Sequence, residues 1–186
     1  MLKLLYSKNS IQYNEKNCKR RVLMRRLKPE LPRTIYEFPE GQLRIVNWKE
    51  IPPMELGNWA GLHGEMETEL IVCRETTGSK MTVVGRSVFF PGAHHDPHFH
   101  LYAEEALWCL SGKGIAGSGD KEYLLTPGDV QFAPVGEIHW LRNPFDEPLE
   151  FIWIYTGVAM PNESGYCTPD LFETAMAVMK KGEIPK

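Results

Sequence analysis

The stretch PGAHHDPHFHLYAEEALWCLSG, residues 91–112, decides the fold of this 186-residue chain. Successive side chains of a β-strand point to opposite faces, so His98 and His100 present two imidazoles to one side. Glu105 can open the next strand across a tight turn, and His139, in PVGEIHWLRN, can return to the same place. Three neutral imidazoles and one carboxylate favour one divalent transition metal ion (Fe, Mn, Ni, Co or Zn) over Ca²⁺.

Two motifs in this region resemble those of the cupins. The first, G-x5-H-x-H-x4-E-x6-G, is matched by Gly92, His98, His100, Glu105 and Gly112. The second, G-x5-P-x-G-x2-H-x3-N, is matched by Gly128, Pro134, Gly136, His139 and Asn143. The resemblance implies an all-β fold, a double-stranded β-helix (jelly-roll) barrel with a metal ion in its mouth. It implies no single reaction, since cupins include dioxygenases, decarboxylases, isomerases, lyases and non-enzymatic binders.

Around this centre the sequence predicts four segments, which are a basic segment 1–29, an irregular arm 30–69, the barrel 70–160 and a tail 161–186. The basic segment contains a single acid, Glu15, and is either an arm for a polyanion or a poorly ordered leader. Prolines exclude long helices from the arm. Within it, LRIVNW (43–48) is a strand candidate and GNWAGLHGE (57–65) a loop.

Local patterns predict the elements of the barrel and the tail. ELIVCRE (69–75) and TVVGRSVFF (82–90) are β-branched and aromatic strands separated by the turn TTGSK. LEFIWIYTG (149–157) is a long last strand. In the tail, Thr168 is a good N-cap for a short helix that Gly182 would end. An apolar stripe on this helix would cover the barrel or a dimer contact; it consists of Leu171, Phe172, Ala175, Met176 and Met179.

Strand alternation also predicts a substrate pocket beside the metal. If Glu150 faces outward, Phe151, Trp153 and Tyr155 face inward, and Phe132 joins them from another strand. Arg86, in mid-strand, could clamp a carboxylate if it faces inward. Ordinary barrel core is the alternative for the apolar members of this set.

The remaining candidates surround the metal ligands. Glu104 is the alternative carboxylate to Glu105, although the spacing to Gly112 selects Glu105. His95 and Tyr102 are candidates for acid–base catalysis, because either could lie within one water of a substrate. Residues before the ligands, His95 included, could equally be plain turn residues. His63 is expected to be a surface residue of its loop.

These observations predict a metal-dependent enzyme acting on a small oxygenated metabolite, with a dioxygenase favoured. The alternatives are a redox-neutral isomerase, lyase or decarboxylase, and a non-catalytic cupin that binds a sugar or metabolite. The net charge of -3 gives no reason to expect nucleic acid or a membrane surface as partner, and no apolar run approaches the roughly 20 residues of a membrane span. Scattered cysteines favour a cytoplasmic location, and the arm predicts a homodimer.

Overall fold

Two antiparallel β-sheets face each other in the computed structural model, which describes residues 44–55 and 59–180. The chain divides into two units, Met1–Thr34 and Ile35–Lys186, and every described residue belongs to the second. The predicted basic segment 1–29 and the arm up to residue 43 therefore lie outside the described residues.

Strands dominate the described residues. Their bounds are β1 Leu62–His63, β2 Met66–Val72, β3 Thr82–Phe89, β4 His94–His100, β5 Glu104–Ser111, β6 Gly114–Ser118, β7 Lys121–Leu125, β8 Val130–Ala133, β9 His139–Arg142, β10 Leu149–Thr156 and β11 Tyr166–Cys167. The first sheet has the order β1-β4-β9-β6-β7, with β11 also pairing β4, and the second has the order β2-β3-β10-β5-β8. Because the chain crosses repeatedly from one sheet to the other, the strands wrap as a jelly roll. The predicted all-β jelly-roll fold is confirmed.

The start of the barrel differs in detail from the prediction. The strand candidate LRIVNW forms no strand over its described part; instead Trp48–Glu50 make a 3-10 turn, because the Asn47 side chain accepts a hydrogen bond from the Lys49 N–H. Part of the predicted loop 57–65 becomes β1. The turn after β2 is a single helical turn, α1 (Arg74–Thr77), which ends at Gly78 with a φ of 66°.

The tail covers the outer side of the first sheet. A 3-10 turn at Pro161–Glu163, β11 and a 3-10 turn at Pro169–Leu171 lead into the helix α2 (Phe172–Lys180). Thr168 precedes the second turn without a side-chain capping bond, unlike the prediction. Phe172 packs edge-on against the buried Phe99 of β4, with ring centroids 5.3 Å apart. Gly182 lies outside the described residues, and no described helix is long and apolar enough to cross a membrane.

The core lies between the two sheets and is largely aliphatic and aromatic. Its fully or nearly fully buried members include Val83, Phe89, Leu107, Cys109, Ala116, Leu125, Leu141, Leu149, Phe151, Trp153 and Tyr155. Gly85 of β3 is paired with Trp153 of β10, and a Cβ atom at Gly85 would overlap the indole ring. The glycine therefore allows the indole to lie directly against the backbone of β3.

Asn143, the last residue of the second motif, closes the turn after β9. It is 1% exposed, and its side-chain amide donates to the carbonyl oxygens of Phe89 and Glu147, each at 2.8 Å. Its Oδ1 accepts from the Phe145 N–H at 3.1 Å. Because the amide satisfies these buried backbone groups, it ties the end of β3 to the start of β10.

Candidate metal centre

Three strands bring four ligand-type side chains together. His98 and His100 lie on β4, His139 on β9 is the register partner of His98, and Glu105 comes from β5 of the facing sheet. One nitrogen or oxygen atom of each lies within 4.8 Å of the others. Ligand atoms bonded to one ion at about 2.0–2.2 Å lie no more than about 4.4 Å apart. Small side-chain shifts would therefore convert the cluster into a coordination sphere.

Hydrogen bonds to backbone carbonyls orient two of the imidazoles. His98 Nδ1 lies 2.8 Å from the Asp96 carbonyl oxygen, and His139 Nδ1 lies 2.8 Å from that of Glu137. An Nδ1–H that donates to a carbonyl leaves the Nε2 lone pair for a metal ion. His98 Nε2 is buried and has no hydrogen-bond partner in the part of the chain that the structure describes.

Glu105 supplies the negative charge of the cluster. Its Oε2 lies 2.8 Å from His139 Nε2 and 3.3 Å from His100 Nε2. Burial opposes ionisation of the carboxyl, but the two imidazole hydrogen bonds outweigh it and hold the pKa of Glu105 well below its usual value. The carboxylate is thus ionised, and its 11% exposed side chain requires a positive neighbour.

The surroundings shift the pKa values of His98 and His139 in opposite directions. Burial lowers the pKa of His98 to about 2, so this ring is neutral at physiological pH, as a metal ligand must be. Burial would also lower the pKa of His139, but the hydrogen bond with Glu105 raises it. The Glu105 carboxylate thus favours a proton on His139, and a metal ion would take the place of that proton.

Glu104, the alternative carboxylate, points away from the cluster. Its side chain is exposed and accepts from the Thr156 hydroxyl at 3.4 Å. Alternation along β5 turns Glu105 toward the three imidazoles and Glu104 toward solvent. Of the two glutamates, only Glu105 lies within reach of a shared metal ion.

Comparison with known proteins identifies the family. The family model of the Cupin domain matches residues 85–155. An oxalate-binding protein from Thermotoga maritima is 30% identical over 113 residues, which cover 61% of this chain and 93% of that protein. This chain belongs to the cupin superfamily. The resemblance carried by the two motifs is therefore confirmed.

Solved structures share the cupin fold. The crystal structure of a predicted oxalate decarboxylase from Thermotoga maritima has a TM-score of 0.56 and 28% identity, and the match covers 62% of this chain and 100% of that one. The polyketide cyclase RemF from Streptomyces resistomycificus also has a TM-score of 0.56, at 19% identity, with 73% and 94% covered. At 19% identity, the likeness to RemF concerns the fold alone.

A cavity of about 70 Å³ adjoins Glu105 inside the cupin barrel. Phe151, Trp153 and Tyr155 of β10 all line it, and their role in binding a substrate stays a prediction. The polar part of the wall was not predicted: the Trp153 Nε1–H donates to Ser87 Oγ at 3.0 Å, and Thr68 Oγ1 lies 2.8 Å from the same oxygen. No lysine or arginine among the described residues lines this cavity.

Two further side chains flank the cluster. The His95 ring stacks on His98, with centroids 3.9 Å apart, and lines both this cavity and an adjoining one of about 260 Å³. Burial lowers the pKa of His95 to about 4. The Tyr166 ring of β11 also stacks on His98, with ring centroids 4.9 Å apart. Tyr166 was not predicted from the sequence, because a two-residue strand beyond both motifs leaves no recognisable pattern.

Arg86 does not face the cavity. It lies on the outer face of β3, where its guanidinium donates to Glu69 at 2.9 Å and to Glu150 at 2.6 Å and stacks over Trp48 at 3.9 Å. Contrary to the prediction, Arg86 is therefore not placed to bind a substrate carboxylate in this cavity. Alternation turns the neighbouring Ser87 inward, so Arg86 serves an ion-pair cluster on the outside.

Phe132 and Tyr102 also lie elsewhere than expected. Phe132 is 59% exposed because its side chain points outward from β8. The side chain of the next residue, Ala133, points inward, and Ala133 pairs with Glu105. Tyr102 lies in the turn between β4 and β5, with its ring against Gly165, and lines none of the three cavities that include Glu105, His139 or His100 in their walls. Of the two predicted acid–base candidates, only His95 adjoins the candidate metal centre.

Proposed function

We propose that this cupin binds one divalent transition metal ion through His98, His100, Glu105 and His139 and uses it to hold a small oxygenated carboxylate for reaction. The observation that carries the proposal is the convergence of four ligand atoms beside a cavity, with the buried His98 Nε2 unpartnered among the described residues. An unsatisfied buried polar atom costs about 1–3 kcal/mol. A metal ion at this position would satisfy it.

The donor set supports Fe, Mn, Ni, Co or Zn as the ion. The four residues would leave two positions of an octahedral ion open, and the bound ion would supply Lewis-acid chemistry there. Glu105 would provide the single negative charge, and the backbone carbonyls of Asp96 and Glu137 would keep two imidazoles in the required tautomer.

Oxalate, or a carboxylate of similar size, is the substrate class that we propose. A cavity of about 70 Å³ has room for roughly two water molecules at about 30 Å³ each, so only a very small ligand fits it. Since no described lysine or arginine lines it, the metal ion would supply the positive charge that anchors a carboxylate. The named functions of the Thermotoga maritima protein and of the Thermotoga maritima crystal structure, oxalate binding and predicted oxalate decarboxylation, support this size class.

The chain itself would provide the hydrogen bonds around such a substrate. We propose that His95 holds or accepts a proton at Nε2, the atom that lacks a partner within the described part of the chain. Ser87 and Thr68 offer hydroxyl groups on the cavity wall. Phe151, Trp153 and Tyr155 would exclude water from the reacting atoms.

A dioxygenase is the second candidate, favoured by the aromatic side of the cavity that β10 forms. A redox-neutral decarboxylase, isomerase or lyase, or a binder without turnover, would use the same ligands. Turnover of oxalate and other small carboxylates, measured under air and under nitrogen with Mn²⁺, Fe²⁺ or Zn²⁺, separates these reactions. Activity that survives both nitrogen and Zn²⁺ would exclude the dioxygenase, and tight binding without turnover would favour the binder.

Calorimetric titration of oxalate tests the proposal as a whole. We expect oxalate to bind the metal-loaded protein and to bind the EDTA-treated protein at least about tenfold more weakly, because the ion provides the anchoring charge. Equal affinity for the two forms would contradict the proposed role of the ion. Failure of both forms to bind oxalate, with one metal ion retained, would reject the substrate class but keep the metal site.

We also propose a homodimer that pairs through β8. Among the described residues, this strand is an edge of the second sheet. Its exposed Val130 and Phe132 lie beside the 50% exposed Trp108 of β5. An apolar edge strand requires a cover, and a second copy offers the same apolar side chains. Light scattering of the protein and of the variant Phe132→Lys should give dimer and monomer masses respectively; a monomeric wild-type mass at micromolar concentration would contradict the proposal.

A further inference from the structure

A second group of metal-binding side chains lies on the outer face of β1 and β4. It consists of His63, His94 and Asp96, hereafter the rim cluster, whose ligand atoms all lie within 4.8 Å of one another. The three side chains are 43–52% exposed, so an ion could reach them directly from solvent. None of them belongs to the buried centre.

Strand register builds the rim cluster. His63 and His94 are register partners across β1 and β4, and Asp96 follows His94 by two residues, on the same face. The two imidazole rings are stacked, with centroids 4.8 Å apart and planes inclined by 24°. Three ligands are therefore presented from two paired strands and not from a flexible loop.

The distances agree with a shared ion. His63 Nε2 lies 2.8 Å from Asp96 Oδ2, and His94 Nε2 lies 3.6 Å from Asp96 Oδ1. Ligands bonded to zinc at about 2.0–2.1 Å in a tetrahedral arrangement are separated by roughly 3.4 Å. His94 Nδ1 also contacts the Gly92 carbonyl oxygen at 3.2 Å, which leaves its Nε2 lone pair directed at the carboxylate.

We propose that the rim cluster is a second site for a divalent transition metal ion, with Zn²⁺ or an ion of similar preference bound by His63 Nε2, His94 Nε2 and the Asp96 carboxylate. Water would complete the coordination, since three protein ligands leave at least one position open. This site is independent of the proposed function at the buried centre.

An ion at the rim cluster would link β1 to β4. Leu62, the neighbour of His63 on β1, lines the 70 Å³ cavity, as does Trp59 just before the strand. β1 has only two residues, and it pairs with β4 at just these two register positions. Bound Zn²⁺ would therefore hold one wall of the cavity against the barrel.

Zn²⁺ titration with metal analysis of the full-length protein tests the proposal. The variant His63→Ala/His94→Ala should bind one Zn²⁺ per chain fewer than the wild type, and Asp96→Asn should weaken the same site by more than about tenfold, since even residues that only orient a ligand change metal affinity by ~10–100-fold. Asp146→Asn, an equal charge change at an exposed residue outside the cluster, is the matched control and should keep the wild-type stoichiometry.

Amide hydrogen exchange provides a second readout. Zn²⁺ should slow exchange at Leu62 and His63 in the wild type and leave it unchanged in the double variant. All three substitutions lie at partly exposed positions, so thermal unfolding should verify that the variants remain folded. If the double variant binds as many Zn²⁺ ions as the wild type, with the same affinities, the rim cluster is not a metal site. A loss of the buried ion alone would instead appear in variants of His98 and His139.

Discussion

The buried centre and the rim cluster each include histidines of β4, but the two clusters differ in their surroundings. In the buried centre the side chains of His100 and His139 are 2% and 7% exposed, whereas the side chains of the rim cluster are 43–52% exposed. Buried ligands are held by packing before an ion arrives, while exposed ligands must lose rotamer freedom and compete with water. Similar side chains therefore suit a tightly held ion in one place and an exchangeable ion in the other.

A β-bulge separates the two clusters. His94 and His98 are four residues apart, so simple alternation puts them on one face. The pairing of β4 with β9 shifts between His95 and His98, which leaves one extra residue on β4. An extra residue changes the side to which the following side chains point. His95 consequently lines the cavity and stacks on His98, while His94 belongs to the rim cluster.

The largest expected difference between the clusters is in metal affinity. His98→Ala/His139→Ala should weaken Mn²⁺ or Co²⁺ binding at the buried centre by at least about a hundredfold, because it removes two directly bonded ligands. The matched variant His63→Ala/His94→Ala should leave that affinity within about threefold. Metal titration of both variants measures this. Equal losses in the two variants would show that the clusters act as one site.

The two adjacent glutamates of β5 sharpen the same contrast. Glu105→Gln should weaken the buried ion by about 10–100-fold, since the neutral amide no longer balances the charge of the ion. Glu104→Gln removes the same charge one residue away, on the exposed side, and should have no measurable effect. Metal content after dialysis against a dilute chelator measures both. Retention of the ion by Glu105→Gln would remove the carboxylate from the ligand set.

The two adjacent histidines of β4 provide the third contrast. His95→Ala should weaken oxalate binding by about tenfold, because a hydrogen bond to a charged group contributes about 1.5–3 kcal/mol. The same variant should keep its metal ion. His94→Ala, on the opposite face, should bind oxalate within about twofold of the wild type. Calorimetry of the metal-loaded proteins measures both, and equal effects of the two variants would contradict the separation by the bulge.

The smallest effect concerns Asp96, which touches both clusters. Its side chain belongs to the rim cluster, but its contact with His98 Nδ1 is through the main-chain carbonyl. Asp96→Asn keeps that carbonyl and should therefore change the affinity of the buried ion by less than about threefold. A larger loss, measured by Mn²⁺ titration, would mean that the Asp96 charge supports the buried centre.

The sequence predicted the fold and the convergence of the four candidate ligands because fixed spacings across two motifs constrain both. It failed where tertiary structure decides the face of a strand. Phe132 was expected inside, but β8 is an edge strand of the described residues, and its inward position is occupied by Ala133. Arg86 was expected to bind substrate, but two glutamates of neighbouring strands satisfy it outside.

Other features left no local signal at all. The bulge in β4 depends on its pairing with β9, so the orientation of His95 could not be derived from alternation. His63 was assigned to a loop, because two residues are too few to give a strand pattern, and only the pairing of β1 with β4 brings it to His94. Tyr166 reaches the buried centre in the same way, through the two-residue strand β11.

Anomalous X-ray diffraction from crystals of the Mn²⁺-loaded protein with oxalate tests the central claim most directly. We predict one strong anomalous peak about 2.0–2.3 Å from Nε2 of His98, His100 and His139 and from a Glu105 carboxylate oxygen, with oxalate at two adjacent positions of the ion. A fully occupied ion bound elsewhere, or one at this place without bonds to His98 and Glu105, would contradict the account.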